Sequence, residues 1–197
     1  MIEDIRPGLA RWVTPHPEWK PEEDHLDESY RDVASALHVA SDALLLVDPL
    51  VPDSLWPELD ARIEAAGKPV VVLTTIYWHA RSRDEVAKRY DARVGDEVQG
   101  VRAFDAGRQD EIALWLEGAR AVVLADAVLG DQHGGLRMSP WYKFDEERER
   151  TRQALLPLLD LPIEIVLPAH GNAVLEGGRQ ALEKALLVSK ARRAAPA

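Results

Sequence analysis

The sequence contains no cysteine among its 197 residues. Disulfide bonds, thiolate metal ligands and a cysteine nucleophile are therefore excluded. Any metal ion would have to be bound by histidine, aspartate or glutamate, a ligand set that suits zinc, manganese or ferrous iron.

An excess of positive charge and long hydrophobic runs are also missing. The chain has 24 Lys and Arg against 34 Asp and Glu, a formal net charge of −10. An acidic chain gains no affinity from counterion release, so we expect no nucleic-acid partner. No apolar run is long enough to cross a bilayer, and the opening residues MIEDIRPGLARW contain no hydrophobic signal core. We therefore expect no membrane partner and a cytoplasmic location.

The composition fits one globular domain spanning residues 1–197, because 46% of the residues are hydrophobic and 29% are charged. Apolar runs alternate with helical periodicity from residue 35 onwards. The pattern predicts strands over 35–39, 43–47, 70–74, 111–116, 121–124 and 163–167, and helices over 55–66, 82–90, 145–159 and 178–193. Such a pattern places helices outside sheets. Two architectures fit this pattern. One has two face-to-face sheets with helices on both outer faces, and the other has a single doubly wound sheet.

Four of these segments end in polar or ionisable residues, at Asp48-Pro49, in the loop from Thr74 to Ser82, at Asp126 and at His170-Gly171. In layered α/β folds, binding sites form where such strand ends converge. We therefore predict that these four ends meet at one edge of the fold.

The same motifs, in this order, resemble those of the metallo-β-lactamase superfamily over about residues 35–175. Val47-Asp48-Pro49 resembles its "IDTG" turn, and the loop after Thr74 resembles its H-x-H-x-D-H metal motif. Leu124-Ala125-Asp126 resembles the strand that supplies a bridging carboxylate, and Pro168-Ala169-His170-Gly171 resembles its "PGHG". The resemblance implies a four-layer αββα sandwich and a metal-dependent hydrolase.

The H-x-H-x-D-H motif itself is altered. Thr75, Tyr77 and Ala80 stand where the superfamily has histidines, and His79 stands at its aspartate. No histidine lies between His79 and Asp126 to supply the remaining ligand of the first metal. The resemblance therefore implies that the first metal site is lost.

At the second metal position, the resemblance leaves His79, Asp126 and His170 as ligands. Two histidines and one carboxylate form a workable mononuclear site. We predict that the three side chains lie within about 8 Å of one another. Asp48 is interpreted as a hydrogen-bonding support beneath this site. The histidines at positions 16, 25 and 38 show no ligand spacing.

Two segments are candidates for binding a small-molecule substrate. Tyr77, Trp78 and Arg81 share one short loop at a helix start, where a guanidinium could pair with an acidic ligand. Arg81 could equally form a salt bridge to a local carboxylate. Because the stretch after the bridging Asp lies near the pocket mouth in the superfamily, His133 and Trp141 are further candidates, and a plain surface loop is the alternative.

Three functions remain open from the sequence. The first is a hydrolase of a small molecule that uses one Zn, Mn or Fe(II) ion. The second is a small-molecule-binding or regulatory protein that has the same fold and no metal. The third is a metal-free enzyme with His79 as general base. The fold alone does not choose among them, because function depends on the site.

Overall fold

A computed structural model describes residues 1–20, 31–131 and 133–187 of the chain. A six-stranded mixed sheet forms the N-terminal half, with its strands in chain order. The first four strands pair antiparallel, and the last three run parallel. The strands are β1 (Glu3–Arg6), β2 (Leu9–Pro15), β3 (Asp32–Val39), β4 (Leu44–Val47), β5 (Val70–Leu73) and β6 (Arg93–Val94).

The second half contributes a four-stranded sheet and a hairpin. Its strands are β7 (Val101–Asp105), β8 (Ile112–Leu116), β9 (Ala121–Leu124), β10 (Val128–Gly130), β11 (Leu136–Met138) and β12 (Ile165–Pro168). The sheet has the order β12-β9-β8-β7, and β10 pairs with β11 as a separate antiparallel hairpin. Strands β12 and β9 are parallel, so this sheet is also mixed.

Four helices cover the outer faces of the two sheets. They are α1 (Trp56–Ala66), α2 (Arg83–Tyr90), α3 (Asp145–Leu155) and α4 (Gly178–Leu187). Helix α1 has a proline in its first turn, where a missing N–H costs no hydrogen bond. It ends at Gly67, whose φ of 58° is the left-handed conformation that glycine adopts readily. Among the described residues, no helix combines the length and hydrophobicity needed to cross a bilayer.

Three hydrophobic clusters hold these layers together. The central cluster joins the inner faces of the two sheets, with Leu45 and Val71 on one side and Leu114 and Leu167 on the other. One outer cluster packs the first sheet against α1 and α2, and the other packs the second sheet against α3 and α4. The predicted αββα sandwich is therefore confirmed, and a single doubly wound sheet is excluded.

Strands β1, β2, β6, β7 and β10 have no counterpart among the predicted strands, and the predicted elements differ from the observed ones in three further places. The segment 130–141, predicted as a loop, contains strand β11, because Leu136 and Met138 alternate with Arg137 and point into the core. The predicted helix over 145–159 ends at Leu155 and continues as a 3₁₀ turn, because Pro157 lacks the N–H that an α-helix needs. Residues 188–193 of the last predicted helix lie outside the described residues.

Two main-chain hydrogen bonds join the sheets at one edge of the sandwich. Ala34 N in β3 donates to Ala169 O after β12, at 2.7 Å. Ile112 N in β8 donates to Thr75 O after β5, at 2.8 Å. The ends of strands β4, β5, β9 and β12 are therefore brought to the same edge.

Candidate metal centre

Three ionisable side chains from three different strand ends meet at this edge. His79 lies in a 3₁₀ turn (Tyr77–Ala80) after β5, Asp126 follows β9, and His170 follows β12. One ligand atom from each residue lies within 4.8 Å of the others, and each residue is 5% exposed or less. Within the described residues, this is the one group of three or more His, Asp or Glu side chains close enough to share a metal ion.

Both imidazole rings are oriented through their Nδ1 atoms. His79 Nδ1 lies 3.0 Å from Asp48 Oδ2, and His170 Nδ1 lies 3.0 Å from the carbonyl oxygen of Asp32. A carbonyl oxygen only accepts, so Nδ1 of His170 donates, and the neutral ring presents its Nε2 lone pair on the other side. Histidine ligands of metal ions are held in this way by a carboxylate or a carbonyl.

The Nε2 atoms of both rings face the same carboxylate oxygen. Asp126 Oδ1 is 3.2 Å from His79 Nε2 and 3.4 Å from His170 Nε2. Despite these distances, Oδ1 accepts no hydrogen bond of good geometry from the residues that the structure describes. An unsatisfied buried carboxylate oxygen between two imidazole nitrogens matches what one zinc-like ion needs. The three residues therefore fit a metal ion.

The charges at the site support an ionised carboxylate. Burial raises the pKa of Asp126, but the imidazoles of His170 and His79 outweigh burial and hold it well below its ordinary value. Burial lowers the pKa of His79, but the carboxylates of Asp48 and Asp126 outweigh it and raise this pKa above its ordinary value. A metal ion at this position therefore competes with a proton for His79.

Asp48 supports His79 from beneath the site. Its backbone has a φ of 48°, a left-handed conformation that aspartate tolerates better than most residues. Its Oδ1 accepts a hydrogen bond from Thr75 N at 2.7 Å, and its Oδ2 accepts one from the Thr75 hydroxyl as well as facing His79. Thr75, at a position where the superfamily has a histidine, thus holds the residue that orients His79.

Arg81 is directed towards the main chain beneath the site. Its Nη1 donates to the carbonyl oxygens of Ala34 and Asp48, at 3.1 and 3.0 Å. Burial lowers the pKa of this guanidinium, and the carboxylates of Asp48 and Asp126 partly oppose that effect. A role for Arg81 in binding substrate stays a prediction, and its observed contacts fix the turn that carries Asp48.

Two of the aromatic candidates contact the candidate ligands, Trp78 at Asp126 and Trp141 at His170, and Tyr77 packs on Trp78. Trp78 is 38% exposed, and the edge of its ring meets Tyr77, which is 65% exposed, at a centroid distance of 4.7 Å. The Trp141 ring is edge-on to His170 at 5.3 Å. His133 lies exposed in the turn between β10 and β11, and the described residues show no contact between it and the three ligands.

Two residues near the site were not predicted. The ring of His16 stacks on that of His170 at a centroid distance of 6.3 Å, although its sequence position gave no ligand spacing. Glu111, the residue just before β8, is 1% exposed and accepts a hydrogen bond from Ala127 N at 2.7 Å. Burial raises the pKa of Glu111 to about 7. An acidic residue just before an apolar run was the weak signal for it.

Comparison with known proteins identifies the architecture. No protein-family model matches the chain, and a search of curated proteins gives no match. Solved structures do match. A metallo-β-lactamase from Erythrobacter litoralis has a TM-score of 0.60 at 14% identity, covering 94% of this chain and 89% of that chain. The metallo-β-lactamase FIM-1 from Pseudomonas aeruginosa, in its mono-zinc form, has a TM-score of 0.57 at 13% identity, covering 95% and 96%.

A metallo-β-lactamase family protein from Thermus thermophilus is similar too, with a TM-score of 0.56 at 16% identity, covering 96% of this chain and 81% of that chain. TM-scores of 0.56–0.60 establish the fold, and identities of 13–16% leave the activity to be argued from the site. The alignments extend over 94–96% of this chain, so the likeness covers both sheets and the outer helices. The chain therefore has the fold of the metallo-β-lactamase superfamily.

Proposed function

We propose that the chain is a hydrolase of a small molecule that uses one metal ion bound by His79, Asp126 and His170. The orientation of the two imidazoles carries this proposal, because both Nε2 atoms face one unsatisfied carboxylate oxygen. Two imidazoles and one carboxylate suit zinc best, with manganese or ferrous iron as alternatives. We further propose that residues 1–197 act as a single domain in the cytoplasm.

The chain's own residues hold the ligands and line the site. A metal ion held by His79, Asp126 and His170 would lower the pKa of water to about 7 and would supply positive charge for a developing oxyanion. Asp48 and the carbonyl of Asp32 keep the two rings in place. Tyr77, Trp78 and Trp141 offer apolar surface beside the ligands for the substrate.

The test combines metal analysis with a substrate panel. Protein purified without chelators is analysed for bound metal, and the chelated protein is then assayed with β-lactam, thioester and phosphodiester substrates. Each assay is repeated with added Zn, Mn and Fe(II), for wild type and His170→Ala. We expect weak turnover that requires metal and is lost in His170→Ala. Robust turnover by the chelated wild-type protein would rule out the metal-dependent proposal.

A second candidate is a metal-free binding or regulatory protein. The observation that favours it is the position of His79 between the carboxylates of Asp48 and Asp126, at 3.0 and 3.2 Å, where an imidazolium would offset part of their negative charge without a metal. Purified protein with no metal and no turnover, but with a small molecule retained, would support this candidate. Metal-free turnover that disappears in His79→Ala would instead support His79 as a general base.

A further inference from the structure

We propose that Trp78 is a positioning residue that makes Asp126 a one-oxygen metal ligand, by occupying the second oxygen of its carboxylate. This inference rests on the proposed metal-dependent function and specifies how the site is kept open. Trp78 Nε1 donates to Asp126 Oδ2 at 2.8 Å, while Oδ1 faces the two imidazoles.

The two carboxylate oxygens of Asp126 therefore have different surroundings. Oδ2 has a donor at good distance, whereas Oδ1 is buried and accepts no hydrogen bond within the described part of the chain. Rotating the carboxylate to offer both oxygens to one ion would break the bond to the indole. The indole thus fixes the rotation of the side chain.

Trp78 is itself held in place on both sides. The Tyr77 ring contacts it edge-on, and the Arg108 guanidinium lies over its ring at 6.0 Å from the centroid. Its ring is nevertheless 38% exposed, which is unusual for a tryptophan that serves only to fill a core. Its N–H points inward to a ligand rather than outward to water, as expected of a residue that orients a metal ligand.

The chemical consequence concerns open coordination positions. An ion bound by two imidazole nitrogens and one carboxylate oxygen retains positions for water and for substrate. A carboxylate that binds through both oxygens takes one of those positions. Trp78 therefore keeps the site catalytic rather than closed.

The test uses Co(II) as a spectroscopic probe on chelated, full-length protein. Titration gives the dissociation constant, and the visible absorption of Co(II) reports its coordination number, because four-coordinate Co(II) absorbs more strongly than five- or six-coordinate Co(II). The variants are Trp78→Phe, which keeps a ring and removes the N–H, and Trp78→Gln, whose amide N–H can donate to Oδ2. Trp56→Phe, on α1, is the matched control, and circular dichroism verifies that each variant is folded.

We expect Trp78→Phe to weaken Co(II) binding about 10-fold, as for other partners that orient metal ligands, and to lower the visible absorption. The Co(II) affinity and absorption of Trp78→Gln should lie closer to those of wild type, and those of Trp56→Phe should equal the wild-type values. In the Asp126→Ala background, Trp78→Phe should have no further effect on affinity, because no carboxylate remains to be oriented.

Three outcomes overturn the inference. If wild type binds Co(II) and Trp78→Phe has the same affinity and spectrum, Trp78 does not position Asp126, and the proposed function stands. If Trp78→Gln binds Co(II) as weakly as Trp78→Phe does, restoring an N–H donor rescues nothing, and the hydrogen bond to Oδ2 is not what positions Asp126. If wild type binds no Co(II), the metal-dependent function fails, and this inference fails with it.

Discussion

The residues that orient the candidate ligands are not ligands themselves. Asp48 holds the Nδ1 side of His79 and is in turn held by the backbone and hydroxyl of Thr75. The carbonyl of Asp32 does the same for His170. Side-chain substitutions at Asp48 or Thr75 should therefore alter metal binding without removing any metal ligand, whereas Asp32 acts through its main chain.

Asp48→Asn tests this support directly. Asparagine also tolerates the φ of 48°, so the backbone remains unstrained. Its amide replaces an accepting oxygen with a donor, which leaves either Thr75 or His79 unsatisfied. We expect metal affinity to fall 10- to 100-fold and the free energy of unfolding to fall by about 1–3 kcal/mol. Metal titration and denaturant unfolding measure both, with Asp42→Asn in the exposed turn after β3 as the control. Unchanged metal affinity would show that Asp48 does not orient His79.

Glu111 makes the free energy of unfolding depend on pH. Burial raises its pKa to about 7, so the folded state binds this proton more tightly than the unfolded state does. Its stabilising contribution is therefore present below the ordinary carboxyl pKa and is lost as pH rises through about 7. Glutamine keeps the oxygen that accepts from Ala127 N and does not titrate.

We accordingly expect the free energy of unfolding of Glu111→Gln, relative to wild type, to increase with pH between about 4.5 and about 7 and then level off. The total change is about 3 kcal/mol, at about 1.4 kcal/mol per pH unit. Denaturant unfolding across this pH range, in chelator, measures it. Glu117→Gln, at an exposed position, should show no such slope. A pH-independent difference for Glu111→Gln would contradict the raised pKa.

At the scale of elements, the β10–β11 hairpin is pressed against the loop that carries His170. Gly130 N donates to His170 O at 2.9 Å. A Cβ on Gly130 would lie 2.0 Å from the carbonyl oxygen of Asn172, and Gly171 on the opposing loop has a φ of 81°. Only glycines allow the two main chains to approach this closely.

Gly130→Ala should therefore separate the hairpin from the His170 loop. We expect the free energy of unfolding to fall by about 1–3 kcal/mol and metal binding to weaken, because His170 moves with its loop. Thermal or denaturant unfolding together with metal titration checks this. Gly118→Ala is the control, since a Cβ there meets nothing within 4 Å. A Gly130→Ala protein with wild-type stability would show that the close approach is not rigid.

Strand ends were the part of the fold that sequence reasoning predicted best. Buried apolar runs that stop at Asp48, Asp126 and His170 identify both the strands and the edge where they converge. Strand β11 was not predicted because its alternating pattern spans only three residues, Leu136 to Met138, and the glycine and polar residues around it indicated a loop. The position of His16 beside His170 was not predictable, since it depends on how β2 pairs with β3 rather than on local pattern.

The whole molecule should bind one metal ion and gain stability from it. The described residues offer one group of metal-binding side chains, so we expect one equivalent per chain and no dinuclear centre. An ion present at 100 times its dissociation constant stabilises the folded state by about 2.7 kcal/mol, which raises the melting temperature.

Elemental analysis and thermal unfolding, with and without metal, test this expectation on wild type and on His170→Ala. Added metal should not raise the melting temperature of His170→Ala. Two tightly bound equivalents at these residues, or an equal shift in His170→Ala, would contradict a single site.

The two main-chain hydrogen bonds between the sheets have a consequence for protein engineering. They join Ala34 to Ala169 and Ile112 to Thr75 through backbone atoms alone. Their strength does not depend on which side chains project from the edge they close. An exchange such as Tyr77→His, at a side chain that is 65% exposed, removes neither bond, so we expect candidate ligands to be added there one at a time, by selection or by design, without loss of the fold.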